Sequence, residues 1–233
     1  MNKLGFSVIV NDETSVTAVV ELLDAMLTAG CEAIELHLMQ SVSMSQAGKN
    51  RLFAAISKFS YRSIHASHLT TPEQSADIRH YQDLLRQIDA QAIIIHPDGM
   101  AQWRWLIDAF GSLASFENMD CEKDFGQTPS DMRTVFDDAP QAQWTFDLNH
   151  VYSNDKNMQT IDEFYGLSDR LAHYHVSGYG GPELPHTTLH NNNQDSILHS
   201  IRTDHPIIIE SYGVDDIADF RDELVYVRRL LLS

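Results

Sequence analysis

The period of apolar and polar positions changes repeatedly along this chain. Short runs dense in β-branched and apolar residues give way to longer stretches in which apolar residues recur every three or four positions. The short runs span Leu4–Val10, Glu32–Leu38, Tyr61–Ser67, Gln91–His96, Ser112–Asn118, Gln143–Leu148, Arg170–Ser177 and Pro206–Ser211. Each has the length of a strand. The stretches between them read as helices. Val16, Val19, Val20, Leu23 and Leu27 share one stripe, Met100, Trp103, Leu106 and Phe110 a second, and Ile217, Phe220, Leu224, Val227 and Leu231 a third. Two helix starts carry capping chemistry. Thr71-Pro72-Glu73-Gln74 sets a hydroxyl acceptor before a proline that has no amide hydrogen to lose, with Gln reaching back; Thr128-Pro129-Ser130-Asp131 repeats the pattern.

Eight alternating units predict a parallel sheet covered by helices. Closure gives an α/β chain, a (β/α)8 TIM barrel, as a single domain over residues 1–233. An open doubly wound sheet would bring a glycine-rich phosphate loop after an early strand. Here the first strand runs into Val10-Asn11-Asp12-Glu13 instead. The stretch Ser177–Asn193, with Gly178, Gly180, Gly181, Pro182 and Pro185, is expected to be a long loop after the seventh strand.

The chemistry sits where the strands end. An apolar residue precedes an ionisable one in Ile34-Glu35, Ile64-His65, Ile95-His96, Phe116-Glu117, Phe146-Asp147, Tyr174-His175 and Ile209-Glu210, and His150 follows Asp147 by three positions. A single strand-end His or Glu is ordinarily a hydrogen-bonded rim residue. A series of them converges, because the C-terminal ends of barrel strands surround one mouth. Clustered carboxylates repel one another unless something positive sits between them. The nearby Lys and Arg (Lys49, Arg51, Lys58, Arg62, Arg79, Arg86, Arg104) fall mostly on helix and loop patterns. A divalent cation answers the need. Imidazole with carboxylate and no thiolate suits Zn²⁺ or Mn²⁺, with Fe²⁺ and Co²⁺ as further candidates, and not a pure Mg²⁺ site.

Composition narrows the partners. The formal charge of −17 repels nucleic acid at long range. No apolar run approaches a membrane span, and MNKLGFSVIV followed by Asn11-Asp12-Glu13 does not read as a signal peptide, so the expected compartment is the cytosol. Cys31 and Cys121 form neither a disulfide framework nor a thiolate metal pattern. His80, His199 and His205 fall on surface patterns, and His68, just past the third strand, is a candidate to line the pocket.

At its strand ends the chain resembles the xylose isomerase-like TIM-barrel superfamily, which includes sugar phosphate isomerases and epimerases and the endonuclease IV group. The resemblance runs through IELHL, SIHAS, IIIHPDG, SFENM, GQTPSDM, FDLNH, HYHVS, PHTTLH and IIIES in order. By analogy with the epimerase-like members it implies a metal held by Glu117, Asp147, His175 and Glu210. By analogy with the endonuclease-like members it implies a second ion on His65, His96 and Glu117. A third would use His150 and His186, but Leu184 stands where that pattern has Asp, with Glu183 beside it. Gly178 stands where many members carry Asp after the strand-seven His, and no Arg lies between Arg170 and Arg202, where epimerases often place one. His173 shares a face with His175 and is expected to support it from below.

Two enzymatic expectations follow. The first is an isomerase or epimerase of a small sugar, sugar phosphate or related hydroxy-carbonyl compound, through a metal-stabilised enediolate, with Glu117 and Glu210 moving protons and His150 and Glu35 meeting substrate hydroxyls. A phosphate would need donors, and no cluster of them is evident. The second is a multinuclear metal hydrolase acting on a phosphoester. A non-catalytic binding barrel is the third reading. The resemblance also implies a homo-oligomer.

Overall fold

The computed structural model describes residues 2–39, 41–66, 68–211 and 217–232. Its strands are β1 Leu4–Val10, β2 Ala33–Leu38, β3 Tyr61–His65, β4 Ala92–Ile95, β5 Ala114–Glu117, β6 Gln143–Asp147, β7 Leu171–Val176 and β8 Ile207–Ile209. The α-helices are α1 Val16–Thr28, α2 Gln46–Ile56, α3 Ser75–Ile88, α4 Arg104–Phe110, α5 Pro129–Asp138, α6 Leu148–Asn154, α7 Ile161–Tyr165, α8 Asp195–His199 and α9 Ile217–Leu231. The strands pair in chain order, all parallel, and β1 also pairs with β8 through Leu4↔Ile207, Gly5↔Ile208 and Phe6↔Ile209, closing the barrel. Among the described residues no helix is long and apolar enough to cross a membrane.

Strand alternation divides the side chains into two environments. Residues such as Phe6, Ile34, Ile64, Phe116, Trp144 and Tyr174 face outward into one continuous apolar core shared with the helices. Fully burying each such side chain stabilises the fold by roughly 1.5–3 kcal/mol. The inward positions hold a small separate apolar layer of Ala33, Tyr61 and Ile208, and above it Glu35, Ser63, Ser115, Thr145 and His173, all 0% exposed. A barrel interior is usually filled with branched apolar residues. This one is polar, so its filling must be hydrogen-bonded or charged to a partner. Gly5 lies where β1 turns inward against β2: a Cβ there would stand 1.7 Å from Ala33 O.

β1 has the predicted bounds, the other strands are shorter at their ends than the sequence pattern predicts, and Ser67 of the third run lies outside the described residues. Gly111–Leu113 form a 3-10 turn before β5, with Gly111 at φ 61. Leu148 begins α6 because the Asp147 carboxylate accepts from His150 N at 2.7 Å and caps the helix. Of the two expected capping boxes, Thr128 makes both arms with Asp131. Thr71 does not start a helix: Gln74 reaches back to Thr70 N and Thr71 N, closing a turn, and α3 begins at Ser75. Trp103 is buried while Trp105 is half-buried, as their spacing requires.

Candidate metal centre

Inward residues at or just past the ends of β3 to β8 rise into one cluster. Glu117, Asp147, His175 and Glu210 bring one ligand atom each within 4.8 Å of one another; so do His65, His96 and Glu117, and so do Asp147, His150 and His186. A further group, Glu35, His65, His175 and Glu210, lies deeper.

Glu117 is the hub. Its Oε1 lies 2.8 Å from His175 Nδ1, and its Oε2 lies 3.0 Å from His96 Nε2 and 3.6 Å from His65 Nε2. Glu210 Oε2 approaches the same His175 Nδ1 at 3.1 Å, and its Oε1 is 3.9 Å from His65 Nε2. Asp147 joins from β6, which pairs with β7 in the register Asp147↔His175.

Backbone contacts orient these ligands. Asn118 grips the peptide of Asp147 from both sides: its Nδ2 donates to Asp147 O at 2.8 Å, and its Oδ1 accepts from Asp147 N at 2.9 Å. The Asn118 carbonyl accepts from His150 Nδ1 at 2.7 Å. That bond places a proton on Nδ1 and leaves Nε2 free for a metal or for a second proton, which Asp147, Glu117 and Asp120 favour despite burial.

The donor set suits a cation by a structural test. Buried atoms of this cluster without a hydrogen-bond partner include Glu117 Oε2, Asp147 Oδ2, His150 Nε2 and His65 Nδ1. Two carboxylate oxygens and an imidazole nitrogen left unsatisfied in a buried site are what metal ligation would satisfy. The electrostatics agree. Burial pushes Asp147 up to about 7, with Glu117 and Glu210 adding to the effect. Burial opposes ionisation of Glu117 and Glu35 as well, yet the neighbouring His175 charge holds both well below the usual carboxylate range. Burial would also neutralise His65, but the nearby carboxylates of Glu117, Glu35 and Glu210 carry it to about 9. Positive charge among the carboxylates is therefore strongly favoured, from protonated histidines or from a metal.

Beneath the cluster runs a buried polar column. Tyr61 OH lies 2.8 Å from His173 Nδ1, His173 Nε2 lies 3.0 Å from His175 Nε2, and Glu35 Oε2 lies 3.2 Å from His175 Nε2. Ser63 Oγ donates to Glu35 Oε2 at 2.8 Å. Glu35 and His173 are 0% exposed. The expectation that Glu35 meets substrate hydroxyls does not fit this place: it faces the far nitrogen of His175 from inside the barrel. His68 is likewise turned aside, its ring on Tyr81 with Nδ1 3.3 Å from the Tyr81 hydroxyl. His80 and His205 are not simply solvated. Both are half-buried, bonded to Leu38 O at 3.0 Å and Thr203 Oγ1 at 2.8 Å; His199 is exposed.

The loop after β7 carries His186 over the site, 5.3 Å ring to ring from His150, with its Nδ1 2.9 Å from Ser177 Oγ. Two anchors hold that loop. Asn149 Nδ2 donates to the carbonyls of Ser177, Gly178 and Pro185. Glu223 of α9 is 0% exposed and accepts from Leu189 N, His190 N and Ser211 Oγ, and pairs with His190 Nδ1 at 2.7 Å. His190 lies in a 3-10 turn and is taken by this carboxylate.

Sequence reasoning did not single out His37, Asn149 or Glu223. His37 stacks on His65 at 5.3 Å, and burial lowers it to about 4; its signal was the IELHL spacing, which puts it on the same face as Glu35. Glu223 gave no signal, because its partners lie far off in the chain. A hollow of about 500 Å³, lined by Tyr61, Gln91 and Arg170 among others, opens at the opposite end of the barrel, away from the ligand cluster.

No family model matches the chain, and no curated protein matches it. Solved structures do. D-allulose 3-epimerase from Methylomonas sp. superimposes with a TM-score of 0.71 at 15% identity, over 99% of this chain and 98% of that one. The E. coli 3-keto-D-glucoside 4-epimerase YcjR gives 0.66 at 14% identity, over 98% and 100%. The probable 3-DHS dehydratase AsbF from Bacillus anthracis gives 0.65 at 16% identity, over 95% and 98%. With its closed barrel of eight parallel strands, this chain shares the xylose isomerase-like TIM-barrel fold of these proteins.

Proposed function

We propose that this chain is a cytosolic, metal-dependent isomerase or epimerase of a small sugar or related hydroxy-carbonyl compound. The observation that carries the reading is the convergence of two carboxylates, Glu117 from β5 and Glu210 after β8, on one imidazole nitrogen of His175, at 2.8 and 3.1 Å. Glu117, Asp147, His175 and Glu210 would hold the ion. When bound it supplies Lewis-acid stabilisation of negative charge developing on substrate oxygens, and Zn²⁺ or Mn²⁺ fits the donors.

The rest belongs to the protein. One carboxylate of the Glu117–Glu210 pair takes the proton from the carbon beside the substrate carbonyl, leaving an enediolate, and a carboxylate returns it to the same carbon from the other face or to its neighbour. Burial of Glu117 keeps water from competing for that proton. His150 and His186 would donate to or accept from substrate hydroxyls, a reading that their 5.3 Å ring separation beside the ligand cluster supports. The epimerases among the structural neighbours support the same class of substrate.

A multinuclear hydrolase is the second reading. What favours it is the presence of two further ligand groups, His65 with His96 and Glu117, and Asp147 with His150 and His186. Solvent deuterium exchange and elemental analysis separate the two. The epimerase reading expects one tightly held ion and deuterium from heavy water entering carbon-bound positions of D-fructose or D-allulose. Two or three tight ions, phosphoester hydrolysis and no exchange would replace it with the hydrolase.

A further inference from the structure

The connections between the C-terminal end of each strand and the next α-helix form the rim around the site. Of the 16 Lys and Arg in the chain, Lys123 alone falls in these connections, against eight carboxylates besides Glu210 among the described residues. Lys123 is itself drawn to Asp98, Nζ to Oδ2 3.4 Å. Lys156, which lies between α6 and α7, is held with its Nζ 3.5 Å from the centroid of the Tyr179 ring and bonded to the carbonyls of Tyr152 and Ser153.

Backbone amides could bind a phosphate without any lysine, and a glycine-rich loop after the seventh strand of a barrel is a place to look for such a cradle. Here the first glycine-rich amides of that loop are already committed. Gly178 N donates to Thr187 O at 2.8 Å, Tyr179 N to Gln194 Oε1 at 2.7 Å, and Gly180 N to Leu184 O at 2.9 Å. Across the mouth, Ile9 continues the inward period of β1 in register with His37 and is 51% exposed, an apolar side chain facing the entrance.

We infer that the substrate is uncharged: a free sugar or neutral hydroxy-carbonyl compound, and not a sugar phosphate. This rests on the proposed single-ion isomerase or epimerase. One divalent cation among Glu117, Asp147, Glu210 and the deeper Glu35 leaves the site net negative, and the acidic rim adds to that field. An arriving phosphate dianion meets repulsion and no free Lys or Arg to pair with it. A neutral polyol meets hydrogen-bonding histidines and one apolar wall.

The test uses the full-length metal-loaded protein with D-fructose and D-fructose 6-phosphate, which differ by the phosphate alone. Solvent deuterium exchange and calorimetric binding are measured at low and high ionic strength. The expected result is at least a tenfold preference for the free sugar in both readouts at low salt, narrowing as salt screens the rim. A Glu13→Lys, Glu122→Lys variant, altered only at exposed rim positions, should raise the relative rate on the ester several-fold and leave the free-sugar rate unchanged. A preference for the ester, or a ratio indifferent to both salt and rim charge, overturns the inference and leaves the enediolate reading intact. Exchange on neither compound with the ion bound overturns both.

Discussion

Glu117 and Glu35 are both buried carboxylates beside His175, yet they have different parts. Glu117 faces Nδ1 and the mouth, with one oxygen lacking a hydrogen-bond partner; Glu35 faces Nε2 from below, its Oε2 taken by Ser63. A carboxylate on the far nitrogen of a ligating histidine fixes its tautomer and strengthens it as a ligand. Glu117→Gln should therefore lower metal affinity by about 100-fold or more and abolish exchange. Glu35→Gln should lower affinity by about tenfold, with an intact fold, as second-sphere changes do. Chelator competition followed by calorimetry measures both. Equal losses would put Glu35 in the coordination sphere itself, with the deeper group that includes His65 and Glu210.

At the level of elements, the long connection after β7 is the part of the site held most tightly from outside it. Glu223 offers both oxygens to two amides, a hydroxyl and an imidazole. Glutamine would turn an NH₂ toward donors where an acceptor is needed. Glu223→Gln should destabilise the chain by about 2–3 kcal/mol, and should raise amide exchange at Leu189 and His190 well before the β-strands open. If those amides stay protected, another contact holds the loop. The same element shows where sequence legibility stops. Strand count, order and inward residues could be read because alternation and strand-end charge are local. Two features had local signals that misled or were passed over: Thr71 had the residues of a helix cap but not the backbone, and His37 was visible in its own strand. Glu223 could not be read, since a carboxylate on an amphipathic helix looks solvated until the loop it caps is in place. Glu35 was legible as an ionisable strand end, but its height in the barrel depended on the register with Ser63.

For the molecule as a whole, loading the site is a competition with protons. Asp147 has to lose a proton held up to about 7, and His175 one held well above the ordinary imidazole value by Glu210, Glu35 and Glu117 despite burial. Both raised values act in the same direction: protons win at low pH and the ion wins as pH rises. Metal affinity should climb at least about tenfold per pH unit between 5 and 7, as measured with a competing chelator; a flat profile would mean that neither group ligates. The polar filling of the barrel carries this further. The axis holds few greasy contacts to keep eight strands together without help, so whatever neutralises the upper carboxylates also props up the cylinder. Melting temperature then becomes a gauge of occupancy: an ion at a hundred times its dissociation constant adds about 2.7 kcal/mol, several degrees for a chain this long, and a chelator takes the same amount away.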